Sequence, residues 1–432
     1  MDFFRIPFEN KEILYRPKLH YAVLANHFAA NLAEEVCNHP DRMDVLIQNE
    51  VIHYLKEAGF FQEDPIIESQ SSFSLDFSPT AAALLMTNRC NLRCIYCYAN
   101  GGSENDLDMT FSTAKKAIDL VSNNAIKKNR SFFHVTFHGG GEPTLNWDVL
   151  VEAATYAKQK SIPVKTCLVS NGIWSQKQFE WISQQIDEIT ISMDGDQQTQ
   201  DYQRPFSNGK GSFEPVMATI AKLDQISFPY HIRATVTPER FSCMKEDISF
   251  LCDATNCKSI QIEPAFNTIR GSHQKSNTED NERFADAFLE AWDAAHERNC
   301  NLYYSGARPW LVTNAFCEAP FGQSLTVNAK GEVVGCYEMT GRDTNIDDSS
   351  LFGSEDALDF RIDNEKRAAL MEKIGHRKDR CDQCFCRWHC AGDCYTRGFP
   401  TENGEWPYSR CDINRKITTG LIVRGIAEQS SL

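Results

Sequence analysis

The chain has 432 residues, 42% of them hydrophobic and 24% charged, with 44 Lys and Arg against 59 Asp and Glu for a net charge of -15. This length predicts two or three units, each able to bury its own core, and the acidic balance excludes phosphate backbones and anionic lipid surfaces as first-choice partners, so neither nucleic acid nor a membrane is expected. Met1 to Arg5 is not a basic flank leading into an apolar core, and the longest apolar stretch, 81–86, is too short to span a bilayer, so a cytoplasmic location is expected.

In chain order, residues 1–75 carry a pattern of their own. Glu12-Ile13-Leu14-Tyr15 precedes apolar, helix-like stretches over 21–36 and 45–58, then Gly59-Phe60-Phe61, which predicts a small helical or winged-helix unit. The Ser-rich run 68–78 reads as a linker. From Ala82 to Pro264 short β-branched runs alternate with longer segments of helical period, as in strand-helix units repeated around a parallel sheet. Strands are predicted at 82–86, 132–137, 164–169, 188–192, 231–236 and 259–262, and helices at 112–128, 147–160, 212–223 and 281–298. Six such units make the fold class α/β, a partial (β/α)6 TIM-like barrel over 79–305.

Unusual residues collect at the strand ends: Cys90 after the first, Gly139 to Pro143 after the second, Ser170-Asn171-Gly172 after the third, Asp194-Gly195 after the fourth and Glu263-Pro264 after the sixth. Barrels build their sites from loops at the carboxyl ends of strands. His134 and His138 flank the second strand's end, where a lone histidine is more often structural than catalytic.

Seventeen cysteines need an explanation, because disulfides seldom persist in a reducing compartment. Cys37, Cys167, Cys243, Cys252, Cys257 and Cys300 are scattered and read as small core hydrophobes. Cys90, Cys94 and Cys97 form CxxxCxxC in one loop, where three thiolates can hold three irons of a 4Fe-4S cube and leave the fourth open. Zinc is the competing reading, yet a structural zinc wants four closed ligands and this neighbourhood supplies no fourth.

With Tyr96 just before its last cysteine, this motif resembles the signature of the radical S-adenosylmethionine (SAM) superfamily. The resemblance implies that Gly140, Gly141, Glu142 and Pro143 form the strand end that binds the cofactor's methionine amino group, that Ser170, Asn171, Ser192 and Asp194 contact its ribose or methionine, and that Arg204 pairs with its carboxylate. It also implies reductive cleavage of SAM to a 5′-deoxyadenosyl radical, supplied with electrons by a flavodoxin- or ferredoxin-type partner.

The last quarter, 306–432, places Cys317, Gly331 and Cys336 ahead of Cys381-xx-Cys384-x5-Cys390-xxx-Cys394 and a final Cys411. This resembles the SPASM domain of peptide- and protein-modifying radical enzymes, a Cys-rich iron-sulfur domain with two auxiliary 4Fe-4S clusters. The resemblance gives Cys317, Cys336 and Cys394 to the inner cluster and Cys381, Cys384, Cys390 and Cys411 to the outer. On spacing alone a zinc ribbon of Cys381, Cys384, Cys390 and Cys394 stays open, although it leaves Cys317, Cys336 and Cys411 without a role. Seven ligands for two clusters leave the inner one an open iron unless an eighth residue fills it; Cys386 and Cys300 are the spare thiols.

The expected function is a maturase that crosslinks residues of a ribosomally made precursor peptide, with residues 1–75 as a leader-recognition element or a structural cap. Two alternatives are anaerobic sulfatase maturation or other protein oxidation, and a non-catalytic electron-transfer or regulatory iron-sulfur protein. Tyr337-Glu338 follows Cys336 where sulfatase-maturating enzymes place an aspartate at once, which puts the first alternative in doubt. The general base is not legible.

Overall fold

The computed structural model describes residues 1–67, 76–103, 106–265, 270, 278–340, 348–397 and 410–430; most of the expected linker lies outside them. The chain opens on an antiparallel meander, β1 (Phe4–Phe8), β2 (Lys11–Arg16) and β3 (Tyr21–Ala25), followed by helices α1 (His27–Asn38), α2 (Met43–Leu46) and α3 (Glu50–Glu57). Alternation along β2 feeds two cores: Leu14 packs with Ala30, Ala33, Leu55 and Phe60, whereas Ile13 and Tyr15 pack with Ile6 and Ile422.

Here the structure corrects the expected helix over 21–36. Tyr21–Ala25 is a strand registered against Glu12–Arg16, and the helix starts only after Asn26, whose side chain accepts from Ala29 N at 2.8 Å. Tyr-Ala-Val-Leu-Ala is apolar at almost every position, so it carries no period that separates strand from helix. The stretch 45–58 is likewise broken, by Asn49, which caps α3 through Val51 N at 3.0 Å.

The barrel follows as β4 (Ala81–Leu85), α4 (Phe111–Lys127), β5 (Phe133–His138), α5 (Trp147–Lys158), β6 (Val164–Ser170), α6 (Gln176–Gln185), β7 (Glu188–Ser192), α7 (Gln197–Gln203), α8 (Phe213–Gln225), β8 (Tyr230–Val236), α9 (Met244–Ala254), β9 (Ser259–Pro264) and α10 (Thr278–Glu297). Strands β4 to β9 are parallel neighbours in chain order, the six-stranded partial barrel expected. Val135, Phe137, Leu168, Ile189, Ile191, Ile232 and Ile260 are all fully buried beneath the helices.

Two additions were not legible. A short β10 (Asn301–Tyr303) extends the sheet beyond β9, and β11 (Ser324–Val327) joins the opposite edge parallel to β4. From β11 the sheet runs on through β12 (Glu332–Val334), β13 (Leu351–Glu355) and β14 (Phe360–Ile362), so the Cys-rich region continues the barrel sheet. Helices α11 (Asn364–Asp379), α12 (Arg387–Cys390) and α13 (Cys411–Ser430) complete the chain. Through Ile422, α13 packs on the opening meander, and it also packs along α10. Among the described residues no helix is long and apolar enough to cross a membrane.

Candidate functional site

The loop after β4 carries Cys90, Cys94 and Cys97, and its backbone is tied to the end of α7 and the residues just after it: Ile95 N donates to Gln203 O at 2.9 Å and Arg93 N to Pro205 O at 2.7 Å. Leu92, 1% exposed, anchors the loop below, while the Arg93 guanidinium holds Cys90 O at 2.8 Å. Arg270 crosses the loop's far side, donating to Gly101 O at 2.6 Å and Asn100 Oδ1 at 3.1 Å. All three thiols line one cavity of about 210 Å³ at the carboxyl ends of the strands.

The turn after β5 closes over this loop. Gly141 N donates to Thr87 O at 2.9 Å and Glu142 N to Arg89 O at 2.7 Å. A Cβ on Gly141 would overlap the Arg89 carbonyl, and one on Gly140 would lie 2.6 Å from Thr340 Cβ, so both positions demand glycine. Four donors converge on the buried Glu142 carboxylate: Thr144 N (3.2 Å), Thr144 Oγ1 (2.7 Å), Ser170 Oγ (2.8 Å) and Asn171 N (2.8 Å). Burial raises its pKa, and these donors pull it back. Glu142 thereby staples the ends of β5 and β6, and Asn171 Nδ2 reaches Asn91 Oδ1 of the cysteine loop at 2.7 Å.

On the other wall, Tyr96 donates to Asp194 Oδ2 at 2.7 Å and accepts from Arg204 Nη1 at 2.6 Å. Asp194 also accepts from Thr235 N at 3.0 Å and Gln203 Nε2 at 3.0 Å. Of the expected cofactor contacts, Tyr96, Gly140, Gly141, Glu142, Ser170, Asn171, Ser192 and Arg204 line the cavity; Asp194 stands behind Tyr96, and Pro143 begins the turn that leads to α5, outside the lining.

Glu263 and Pro264, expected at a site-building strand end, line the same cavity, as does Glu338; Tyr98, Arg233 and Thr235 also line it and were given no role by sequence. Arg233 and Thr235 alternate on β8 and Gln261 and Glu263 on β9, opposite the buried isoleucines, and polar residues at period two on a barrel strand are the available signal. His138 also lines the cavity; its Nδ1 accepts from Gly139 N at 2.9 Å, its ring lies against Tyr337 at 5.3 Å, and burial lowers its pKa to about 4.

The residues fit a 4Fe-4S cluster with SAM. Burial pushes the Cys90 and Cys94 thiols up to about 12 and about 11, so these groups resist becoming thiolates until a cationic partner compensates. Among the described residues, the buried Arg204 Nε has no hydrogen-bond partner, a donor left for an anionic group beside the thiols.

The second constellation separates into two groups. Cys317, Cys336 and Cys394 lie near one another, and burial followed by the charge of neighbouring groups pushes the Cys336 thiol up. Cys381, Cys384, Cys390 and Cys411 line a separate cavity of about 60 Å³ together with Cys386. Cys394 thus keeps company with Cys317 and Cys336 instead of completing a ribbon with Cys381, Cys384 and Cys390. Cys386 Sγ lies 3.6 Å from Thr418 Oγ1. Cys300, a spare thiol for the inner group by sequence, precedes β10 at the amino ends of the strands and cannot serve there.

Comparisons with known proteins agree with this geometry. Residues 84–251 match the model of the Radical SAM superfamily. An uncharacterized protein of Methanocaldococcus jannaschii is 34% identical over 270 residues, 60% of this chain and 85% of the relative. The chain belongs to the radical SAM superfamily. It is an enzyme of a family whose members use a 4Fe-4S cluster and SAM. This radical SAM chain is also 26% identical over 271 residues, 58% of its length, to a cysteine-type anaerobic sulfatase-maturating enzyme of Clostridium novyi, spanning 71% of that protein. Its fold is similar to anSMEcpe with bound AdoMet and Kp18Cys peptide (TM-score 0.64, 17% identity, 82% of this chain and 99% of that one) and to Streptococcus suis SuiB bound to the precursor peptide SuiA (TM-score 0.53, 15% identity, 95% and 100%).

Proposed function

We propose that this radical SAM enzyme crosslinks residue side chains of a ribosomally made peptide. The observation that carries the reading is that one cavity holds both the three thiols and a second, polar end made by Arg233, Thr235 and Glu263 of the barrel and Glu338 of the Cys-rich region. When bound at Cys90, Cys94 and Cys97, the cluster and SAM supply a 5′-deoxyadenosyl radical that abstracts a hydrogen from an unactivated carbon. The chain does the rest: Gly140 and Gly141 let backbone approach the cofactor's amino group, Arg204 offers its unused Nε-H to the carboxylate, and Tyr96, held by Asp194, fixes that arginine.

A crosslink leaves a second electron to remove. In this reading Cys317, Cys336 and Cys394 would hold one auxiliary 4Fe-4S cluster and Cys381, Cys384, Cys390 and Cys411 another, which would supply a route for that electron, and a flavodoxin- or ferredoxin-type partner would supply the reducing electron for the first cluster. Residues 1–75 would grip the leader by adding a peptide strand to the meander's edge. SuiB, described with its precursor SuiA, supports a peptide substrate by likeness of fold. Co-expressing the chain with short open reading frames encoded beside its gene tests the reading: a peptide lighter by two hydrogens, with a linked residue pair in its fragments, is expected.

Glu338 favours a second reading. It sits one residue later than the aspartate of sulfatase-maturating enzymes yet still reaches the cavity, so oxidation of a Cys or Ser to formylglycine is chemically accessible. An aldehyde on a sulfatase-type peptide, with no crosslinked product from any neighbouring peptide, would select it.

A further inference from the structure

One strand of the barrel presents the cavity with a charge that no described residue balances. Arg233 lies on β8, in register between Ser192 of β7 and Gln261 of β9. Its side chain is exposed and lines the cavity shared by the three thiols, as Ser192 does. Other charges there are already paired. Asp194 accepts from Tyr96 at 2.7 Å and lies 3.8 Å from Arg204 Nη1, and the four donors to Glu142 satisfy its carboxylate. Glu263 accepts from Arg410 Nη1 at 3.2 Å, Ser305 N at 3.0 Å and Gln261 Nε2 at 3.0 Å. Among the described residues Arg233 makes no side-chain hydrogen bond and no ion pair.

Uncharged groups share the wall with it. Burial, and then the charge of Arg233, lowers the pKa of His138 to about 4, so the imidazole is neutral near pH 7. Burial raises the Tyr98 pKa, so its hydroxyl also keeps its proton. While the cavity is open, water can solvate the guanidinium. An occupant that fills the cavity displaces this water, and a cation stripped of water without a partner is strongly unfavourable. A neutral occupant is therefore disfavoured at this point, and one that brings an anion is selected. The planar, two-pronged guanidinium matches a carboxylate in particular.

We propose that Arg233 is a specificity-determining residue that binds a carboxylate of the substrate peptide, from an acidic side chain or from a chain terminus. The anion would sit one strand away from Ser192, so the peptide would be anchored close to the expected cofactor contacts. This inference rests on the reading of the cavity as the seat of a peptide, but not on the crosslinking chemistry.

Anaerobically reconstituted holoenzyme with SAM bound, treated with the arginine reagent phenylglyoxal, digested and mapped by mass, tests it. Three probes are added in turn: glycine-glutamate-glycine blocked at both ends, its glutamine counterpart blocked likewise, and triglycine blocked only at its amino end. Arg233 should react without a probe and about tenfold more slowly with a carboxylate-bearing one, whereas the glutamine peptide should leave the rate unchanged. Protection by the glutamate peptide alone assigns the anion to an acidic side chain, and protection by triglycine alone assigns it to a terminus. In calorimetric titrations Arg233→Gln should lose the preference for a carboxylate over an amide, and Arg233→Lys should keep part of it. Equal protection by the glutamine peptide, an Arg233 already unreactive with SAM alone, or no protection by either carboxylate would overturn the proposal. Failure to crosslink any peptide encoded nearby would leave this protection intact and count only against the crosslinking reading.

Discussion

At the scale of single residues, function rests on thiols that are unfavourable as thiolates without metal. Replacing Cys94 by Ser should abolish 5′-deoxyadenosine formation and, if the chain holds the three proposed clusters, lower bound iron by about one third; iron assay and chromatography of the same sample check both. His138 gives a pH prediction. Its folded pKa of about 4 lies below the ordinary value of 6.5, so between these pH values the unfolded chain binds a proton that the folded chain does not. Stability therefore rises with pH across that window and falls as pH drops through it, by about 3 kcal/mol in all for this group. His138→Gln should flatten urea-denaturation midpoints between pH 7 and pH 5. At this scale the thiols that share the two cavities were legible, because residue type and spacing carry their chemistry. Glu263 was legible only as a strand-end residue, and Arg233 and Thr235 were not legible, since their place arises where β8, β9 and the Cys-rich region face one cavity, which local spacing does not encode.

At the scale of elements, the turn between β5 and α5 depends on backbone contact. Gly141→Ala would drive a methyl into the Arg89 carbonyl, and overpacking of this kind costs about 1 to 3 kcal/mol; a lower melting temperature and loss of SAM cleavage are expected, whereas Gly425→Ala, inside α13 with open space around the added carbon, should keep SAM cleavage and hold or raise the melting temperature. At the other end of the chain, Asn26→Ala should cost about 1 kcal/mol by removing the cap of α1, measured by denaturant melts. All six barrel strands were readable because each is a short run with apolar or β-branched residues at least at every other position, between turn residues. Helices α6 and α7 were not: QKQFEWISQQ and QQTQDYQ are mostly polar, and their clearest signals are the caps Ser175 with Gln178 and Asp196 with Thr199.

At the scale of the whole molecule, one sheet runs from β10 to β14 and α13 fastens the opening meander to the barrel's last long helix. A buried ion-pair network ties the Cys-rich region to the cavity: Arg410, 4% exposed, bonds Asp393 through Nε at 2.9 Å and Glu263 through Nη1 at 3.2 Å. Arg410→Met strands two carboxylates, so a loss of about 3 to 5 kcal/mol is expected in thermal or urea unfolding. Neither this network nor the continuity of the sheet was visible in sequence, because Glu263 and Arg410 are far apart in the chain and meet only through the fold. The most direct measurement of the central claim is SAM turnover by anaerobically reconstituted, dithionite-reduced protein. The account predicts 5′-deoxyadenosine from the native chain and none from Cys94→Ser; a native chain that binds its full iron yet releases none, or that binds zinc at Cys90, Cys94 and Cys97 in place of iron, would contradict it.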